Sequence, residues 1–426
     1  MRTISRFILN SLLYVPAFFL FACNPRQQQA AKTNKPASLI RLPDPPPVSA
    51  TEKERIRTGC QLWYDSILGA RGFNGQVLVA RYGTIVFEKY AGTLHIPGTD
   101  SITDSTSLHI ASVSKTFTAM AVLKLVEEGH CRLDDEFSKY FPRFNYPGVT
   151  IRSLLNHRSG LPNYTHFLDN MGWDKNRPIS NEELLDFLVS KKDSMADIAP
   201  PNTRFAYCNT NYALLALLIE QVSGMRYPEY LQRNFFLPLG MNHTFVYQPA
   251  DSNRVAPSYN WKGKPEPLNY MDRVYGDKNI YTTVRDLLTW DRALSSNLLF
   301  GPETIREAYT PYSNERPGIK NYGLGWRMLN YPDGKRIIYH NGWWHGSNAS
   351  FIRLVNDSAT IIVIGNKFTR AVYNARVLAE LFGNYFGTGE EEESEQNNQA
   401  TAPGSDSLMK KPPSSAVPVT TKKRRG

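Results

Sequence analysis

Ser112 and Lys115 lie three positions apart in the stretch His109-Ile-Ala-Ser-Val-Ser-Lys-Thr-Phe117. On a helix this spacing puts both side chains on one face, one turn apart. A hydroxyl nucleophile then stands beside an amine able to take its proton. The residues that follow, Val113, Phe117, Met120, Val122, Leu123, Leu125 and Val126, run to Gly129 and predict one long apolar helix with a glycine stop. A mostly apolar helix is a buried one. A lysine near its start is partly desolvated, which disfavours the charged form, and the helix N-terminus favours negative charge developing near Ser112. The pair decides nothing alone. It also describes an N-cap serine with a snorkelling lysine, and Ser407-Leu-Met-Lys410 repeats the spacing near the C-terminus.

Two further stretches carry chemistry. Phe205-Ala-Tyr207-Cys-Asn209-Thr-Asn211-Tyr212 offers a phenol and two amides just before an apolar helix, Tyr212 to Val222, stopped by Gly224. Its plainer reading is a capping asparagine with a packing tyrosine. Tyr339-His340-Asn-Gly342-Trp343-Trp344-His345-Gly346 reads as a strand ending in histidine, then a glycine where backbone can approach a ligand closely. Its plainer reading is a strand-end histidine and a tight turn.

The elements that must position these residues follow from hydrophobic periodicity. Thr51 to Leu68 predicts an amphipathic helix with Ile56, Leu62, Trp63 and Ile67 inward. Gln76–Arg81 and Thr84–Tyr90 flank Tyr82-Gly83 as a hairpin. From Leu133 to about Ala293 the pattern is helical, with loops rich in Pro, Asn and Gly. Three β-rich runs follow at 336–340, 349–355 and 359–365, the last two joined by a turn at Asn356-Asp357-Ser358, and a helix from Arg370 to Phe386 closes the domain. The fold class is therefore α+β, an α/β sandwich. One antiparallel sheet is built from both ends of the domain and flanked by helices, and a large, mostly helical lobe is inserted between them. A site belongs at the seam of the two parts.

The ends differ from the middle. Met1 to Ala22 reads as a signal peptide, with Arg2 and Arg6 ahead of an apolar run. Asn10 and Pro16 interrupt that run, and it is short for a membrane span. Cys23 follows a small residue and resembles the lipid-modified first residue of a bacterial lipoprotein; the alternative is an ordinary signal with an incidental cysteine. Residues 23–50 form a Pro-rich tether, residues 51–387 the globular domain, and residues 388–426 a low-complexity tail expected to be disordered. This layout implies export to the bacterial cell envelope, with the membrane as partner through the lipid. The net charge of +10 is diffuse, with no basic block in the domain, so nucleic acid is not an expected partner. Cys60, Cys131 and Cys208 show no C-x-x-C or Cys/His cluster, which argues against structural zinc. A Cys60–Cys131 disulfide stays open.

Taken in order, Ser112-x-x-Lys115, Tyr207-x-Asn209 and His340-x-Gly342 resemble the three motifs of the penicillin-recognising serine hydrolases. The variety is that of the class C β-lactamases, with their D-alanyl-D-alanine peptidase and esterase relatives. Leu154-Leu-Asn-His-Arg-Ser-Gly160-Leu-Pro162, with Arg158 where Thr is usual, resembles a family signature. Leu237–Met241, Gly276–Thr283 and Tyr322–Trp326 fit as well, and the resemblance covers about Gly72 to Gly383. Tyr312-Ser-Asn314 also fits the second motif but lacks the following apolar helix.

The resemblance implies a β-lactamase/transpeptidase-like fold and acyl transfer to Ser112. Lys115 and Tyr207 would be the proton-handling pair, and Asn209 would hold Lys115 and the substrate amide. The N–H groups of Ser112 and Trp343 would form the oxyanion hole, and His340 would supply hydrogen bonding and part-time charge near neutral pH. Asn209, Gly342, Trp343, Trp344 and His345 would border the substrate. No metal or organic cofactor is implied. The two indoles are expected to narrow the cleft, or to pack behind the strand, which disfavours fast turnover of bulky β-lactams. The expected function is a serine hydrolase acting on a small peptide, ester or amide in the envelope. The alternatives are a catalytically idle envelope-binding domain of the same fold and a true β-lactamase.

Overall fold

Two left-handed residues, Tyr82 (φ 55°) and Gly83 (φ 81°), connect strand β1 (Gly75–Arg81) to β2 (Thr84–Ala91). This two-residue turn matches the twist of antiparallel strands, and the hairpin stands where its sequence put it. The structure, a computed structural model, describes residues 39–196 and 198–385. The signal segment, Cys23, the first part of the tether, Phe386 and the tail from 388 lie outside the described residues. The chain divides into two units at Gly383; of the second, only Asn384 and Tyr385 are described.

The short strands β3 (Leu108–His109), β4 (Phe245–Val246) and β7 (Ile280–Thr282) form a small sheet of order β3-β7-β4, and β5 (Ser258–Tyr259) pairs with β6 (Pro265–Glu266). The main sheet takes in β8 (Lys320–Tyr322), β9 (Arg327–Asn330), β10 (Arg336–Trp344), β11 (Ser347–Leu354) and β12 (Ala359–Gly365). Its order is β2-β1-β12-β11-β10-β9-β8, antiparallel throughout. The first hairpin thus joins the last strand, Gly75 opposite Gly365, as a sheet built from both ends requires. Every residue of β11 and β12 is buried. Helices cover both faces there, so no alternation is left in the sequence and Ile361-Ile-Val-Ile364 reads as one apolar run.

Helix α1 (Ala50–Trp63) and a closing 3-10 helix (Arg370–Leu381) pack together on one side of the sheet. The buried stripe of α1 is Ile56, Cys60 and Trp63, continued by Tyr64, whereas Leu62 is 67 % exposed. The inward placement of Leu62 is therefore corrected: spacings of four and three follow the helical period, and Leu62 falls off that face. The inserted lobe holds α2 (Ser114–Glu127), α3 (Ile151–Leu155), α4 (Tyr164–Asn170), α5 (Asn181–Ser190), α6 (Asn209–Ser223), α7 (Tyr227–Leu231), α8 (Val284–Ser295) and α9 (Pro302–Ala308). Helix α2 packs on α6, and α8 returns to β1 and β12. Ser114 to Leu123 of α2 are all buried, as an apolar helix demands.

Other expectations need adjusting. Strand β10 does not end at His340 but runs on to Trp344, and β8, β9 and the small strands are additions to the sequence reading. Cys60 and Cys131 do not pair; both thiols are free and buried, and burial pushes each up to about 12. Cys131 belongs to the main core, while Cys60, on the buried face of α1, lies outside it. The extended segment from Leu39 lies against the domain: Ile40 N–H donates to the Pro238 carbonyl (2.7 Å) and Arg292 Nη2 to the Pro43 carbonyl (2.6 Å). Among the described residues, no helix is long and apolar enough to cross a membrane.

Candidate active site

Ser112 owes its place to a strained residue. Ala111 adopts φ 46°, a left-handed conformation that costs a Cβ-bearing residue free energy. The chain turns there from β3 into a single 3-10 turn, Ala111–Val113, which feeds α2. Ser112 is thus in that turn rather than in the α-helix, and Lys115 is on the first turn of α2. Lys115 is fully buried. Its Nζ donates to Ser112 Oγ (3.0 Å), Asn209 Oδ1 (2.8 Å) and the Asp277 carbonyl (2.8 Å). Three acceptors from three elements hold the amine in one place. The Asp277 carbonyl reaches it because Gly276, at φ 96°, lies against α6; a Cβ there would stand 2.3 Å from the Tyr212 carbonyl oxygen.

The second motif closes the opposite side. Asn209 is the first residue of α6, and its backbone N–H donates to Asn163 Oδ1 (3.2 Å). The ring of Tyr207 lies 5.0 Å from Lys115 Nζ and 5.3 Å from the Arg327 guanidinium. Its hydroxyl is buried and has no hydrogen-bond partner among the described residues. A buried, unpaired hydroxyl is costly and marks a place where another polar atom is wanted.

The third motif lies on β10. Pairing of β10 with β9 stops at Tyr339, so the strand edge beyond it is free to face the Ser112 turn. Gly342 makes this approach feasible: a Cβ there would stand 2.2 Å from the Ile110 carbonyl oxygen and 3.1 Å from the Ser112 nitrogen. Gly342→Ala must therefore part the strand from the turn. The serine-hydrolase activity of the purified variant is expected to fall by about 100-fold, the effect of an ångström of misplacement; activity within threefold of wild type would refute this.

His340 is fully buried. Its Nδ1 donates to the Asn341 carbonyl (2.7 Å), which leaves Nε2 to accept from Tyr322 Oη (3.2 Å). Burial first, then Arg327 and Lys115, hold it well below the usual histidine range. It is a neutral hydrogen-bonding residue here, in contrast to the part-time charge expected of it.

Strand alternation separates the two indoles. Trp343 points to the face opposite Gly342 and packs on Phe368 (ring centroids 5.6 Å apart), its Nε1 donating to the His345 carbonyl (2.9 Å). Its side chain is behind the strand, and only its backbone can serve the site. Trp344 shares the face of His340 and Gly342. Its Nε1 donates to Asp272 Oδ1 (2.6 Å), and its ring covers Lys278 Nζ at 4.7 Å. His345 also binds Asp272 (3.0 Å). Ser112, Lys115, Tyr207, Asn209, His340 and Gly342 therefore converge, while Trp344 and His345 belong to an adjoining polar cluster with Asp272, Asp277, Lys278 and Tyr164. Tyr164 Oη donates to Asp277 Oδ2 (2.8 Å), and Lys278 donates to Tyr164 Oη. Lys278 is fully buried, and burial pushes its pKa down. The sequence reading gave none of these four a role at the site, although Asp277 and Lys278 lie in the stretch Gly276–Thr283 that it matched to the family. The run Gly276-Asp-Lys-Asn, charged residues set directly before an apolar strand, was the available signal. Among the described residues, no group of three or more His, Cys, Asp or Glu is arranged to hold a metal ion.

The family model for beta-lactamase matches residues 66–381, most of the chain. Penicillin-binding protein 4* of Bacillus subtilis is 32% identical over 358 residues, covering 79% of this chain and 79% of that protein. The putative penicillin-binding protein PbpX of the same organism is 28% identical, over 60% of this chain and 62% of its own length. Among solved structures, a penicillin-binding protein from Bacillus halodurans superposes with a TM-score of 0.66 at 24% identity, covering 74% of this chain and 98% of its own. The D-amino acid amidase of Ochrobactrum anthropi superposes at 0.62 and 22% identity, over 78% of this chain and 97% of its own. These two show the fold. With the matched family model and the identity to the first relative, the chain belongs to the β-lactamase family of serine hydrolases.

Proposed function

We propose that the protein hydrolyses a small peptide, ester or amide of the bacterial cell envelope through an acyl-enzyme on Ser112. The observation that carries this is the 3.0 Å contact of Lys115 Nζ with Ser112 Oγ, in an amine fixed by Asn209 and Asp277. Ser112 Oγ attacks the substrate carbonyl carbon and gives its proton to the Lys115–Tyr207 pair. The oxyanion develops between the N–H groups of Ser112 and Trp343, on the two segments that Gly342 lets meet. The pair then returns the proton to the leaving amine or alcohol as its bond to carbon breaks. Water attacks the acyl-enzyme by the same route in reverse and frees Ser112. Asn209, its oxygen on Lys115, presents its NH2 to a substrate carbonyl. Neutral His340 and Gly342 border the cleft, and Trp344, tied to Asp272, limits the acyl group it admits. The N-terminal reading, a cleaved signal with lipidated Cys23 and a tether, supports an envelope location.

Covalent labelling tests this. The protein is treated with a fluorophosphonate and with a fluorescent penicillin, in parallel with Ser112→Ala. A fluorophosphonate adduct that disappears in Ser112→Ala is the expected result, with the penicillin adduct weak or absent. Rapid penicillin turnover would make the protein a β-lactamase. No Ser112-dependent adduct with either probe would make it an idle binding domain.

A further inference from the structure

His157, in the signature stretch Leu154–Pro162, has no part in the chemistry above, yet it brackets the residue that does. Its backbone carbonyl accepts from Ala206 N–H (2.9 Å), and its ring Nδ1 accepts from Cys208 N–H (3.1 Å). Both residues that flank Tyr207 are therefore held by one residue. The ring itself lies 4.4 Å from the Tyr207 ring, 4.9 Å from Tyr322 and 5.1 Å from Tyr212. His157, two residues beyond the last residue of α3, has φ 59°, a left-handed turn that aims its carbonyl and its imidazole at the same strip of chain. The next residue, Arg158, secures that strip further out. Its Nη2 donates to the Asn202 carbonyl (3.0 Å), and it pairs with Glu315, whose Oε1 accepts from Phe205 N–H (3.2 Å).

We infer that His157 is the positioning residue of Tyr207, a neutral imidazole whose Nδ1 fixes the loop that presents the phenol to Ser112 and Lys115. The inference rests on the function proposed above. An Nδ1 that accepts leaves the proton on Nε2, and Nε2 is buried with no partner among the described residues. Only a neutral ring can do this; an imidazolium donates from both nitrogens and would repel the Cys208 N–H. The surroundings enforce neutrality. The ring is fully buried, and the Lys115 amine on α2 and the Arg327 guanidinium on β9 disfavour a positive charge on it, while His340 on β10, itself neutral, faces it as well. Tyr207, Tyr212 and Tyr322 complete its walls.

The decisive comparison is between His157→Asn and His157→Leu. Asparagine places Oδ1 where Nδ1 stood and tolerates the left-handed backbone; leucine fills space and accepts nothing. In unaltered protein, fluorophosphonate should label Ser112. In His157→Leu the labelling rate should fall by about 100-fold, and in His157→Asn it should stay within about fivefold of wild type. A purely space-filling role would give the reverse order. Because His157→Leu can unfold, the ring is also read in unaltered protein by long-range proton–nitrogen NMR of 15N-histidine-labelled chain, where the Nε2–H form should persist from pH 6 to 9. Equal rates in wild type and His157→Leu, equal losses in both variants, or an Nδ1–H signal would each overturn the inference. If wild-type Ser112 is not labelled at all, the proposed function fails instead, and the NMR form alone judges His157.

Discussion

Lys115→Met is expected to slow Ser112 acylation by about 10²- to 10⁴-fold, the usual contribution of a positioned proton-handling group. That equals roughly 3–5 kcal/mol of transition-state stabilisation. Methionine matches the length of the lysine stem and suits a fully buried position, so the fold should survive. The cost falls on Ser112, which loses the amine bonded to its Oγ, and on Asn209 Oδ1 and the Asp277 carbonyl, which lose a common donor. Time courses of fluorophosphonate labelling and of ester hydrolysis should fall together, because both begin with the same proton transfer. A loss below tenfold would mean that Tyr207 acts without the lysine.

The largest expected effect on stability lies away from the site. Arg353 on β11 and Asp291 on α8 form a buried ion pair, Nε to Oδ1 at 2.5 Å, that ties the helix to the sheet. Arg353 also donates to Ser295 Oγ (2.8 Å) and to Tyr309 Oη, and Thr360 Oγ1 donates to Asp291 Oδ2 (2.6 Å). Asp291→Ala leaves a guanidinium buried without its counter-charge, which costs about 3–5 kcal/mol. Arg353→Met together with Asp291→Ala removes both charges and should recover much of that loss. Urea unfolding of the three proteins checks it. A double variant less stable than Asp291→Ala alone would show that the pair's other hydrogen bonds, not its charge, carry the energy.

The reach of the sequence depended on range. Local patterns were legible: the Tyr82-Gly83 turn, the apolar run of α2, the Gly224 stop of α6 at φ 71°, and the α+β layout. The three motifs pointed to residues that do converge. What stayed hidden depends on neighbours far along the chain. His340 is neutral because Arg327 and Lys115 surround it in a dry site, and no local pattern reports that. The face taken by Trp343 depended on β10 continuing past His340, since one residue of strand reverses a side chain. Lys278 and Asp272 acquire meaning only when Trp344 lies across them. β8 and β9 are three and four residues long, too short for periodicity to declare.

The pairing of Gly75 with Gly365 sets a timetable for the molecule. As the chain is made from its N-terminus, β1 waits for β12, and Ser112 waits for Gly342, until almost the whole domain exists. Non-local pairing of this kind folds late and exposes unpaired apolar strands meanwhile. The proposed nucleophile, its lysine and Tyr207 are thus synthesised first but stay unassembled. A nascent chain, or one cut short before β10, carries Ser112, Lys115 and Tyr207 without half of the proposed oxyanion cradle. Hydrolytic competence therefore arrives with completion of the chain, a safeguard that needs no inhibitory segment.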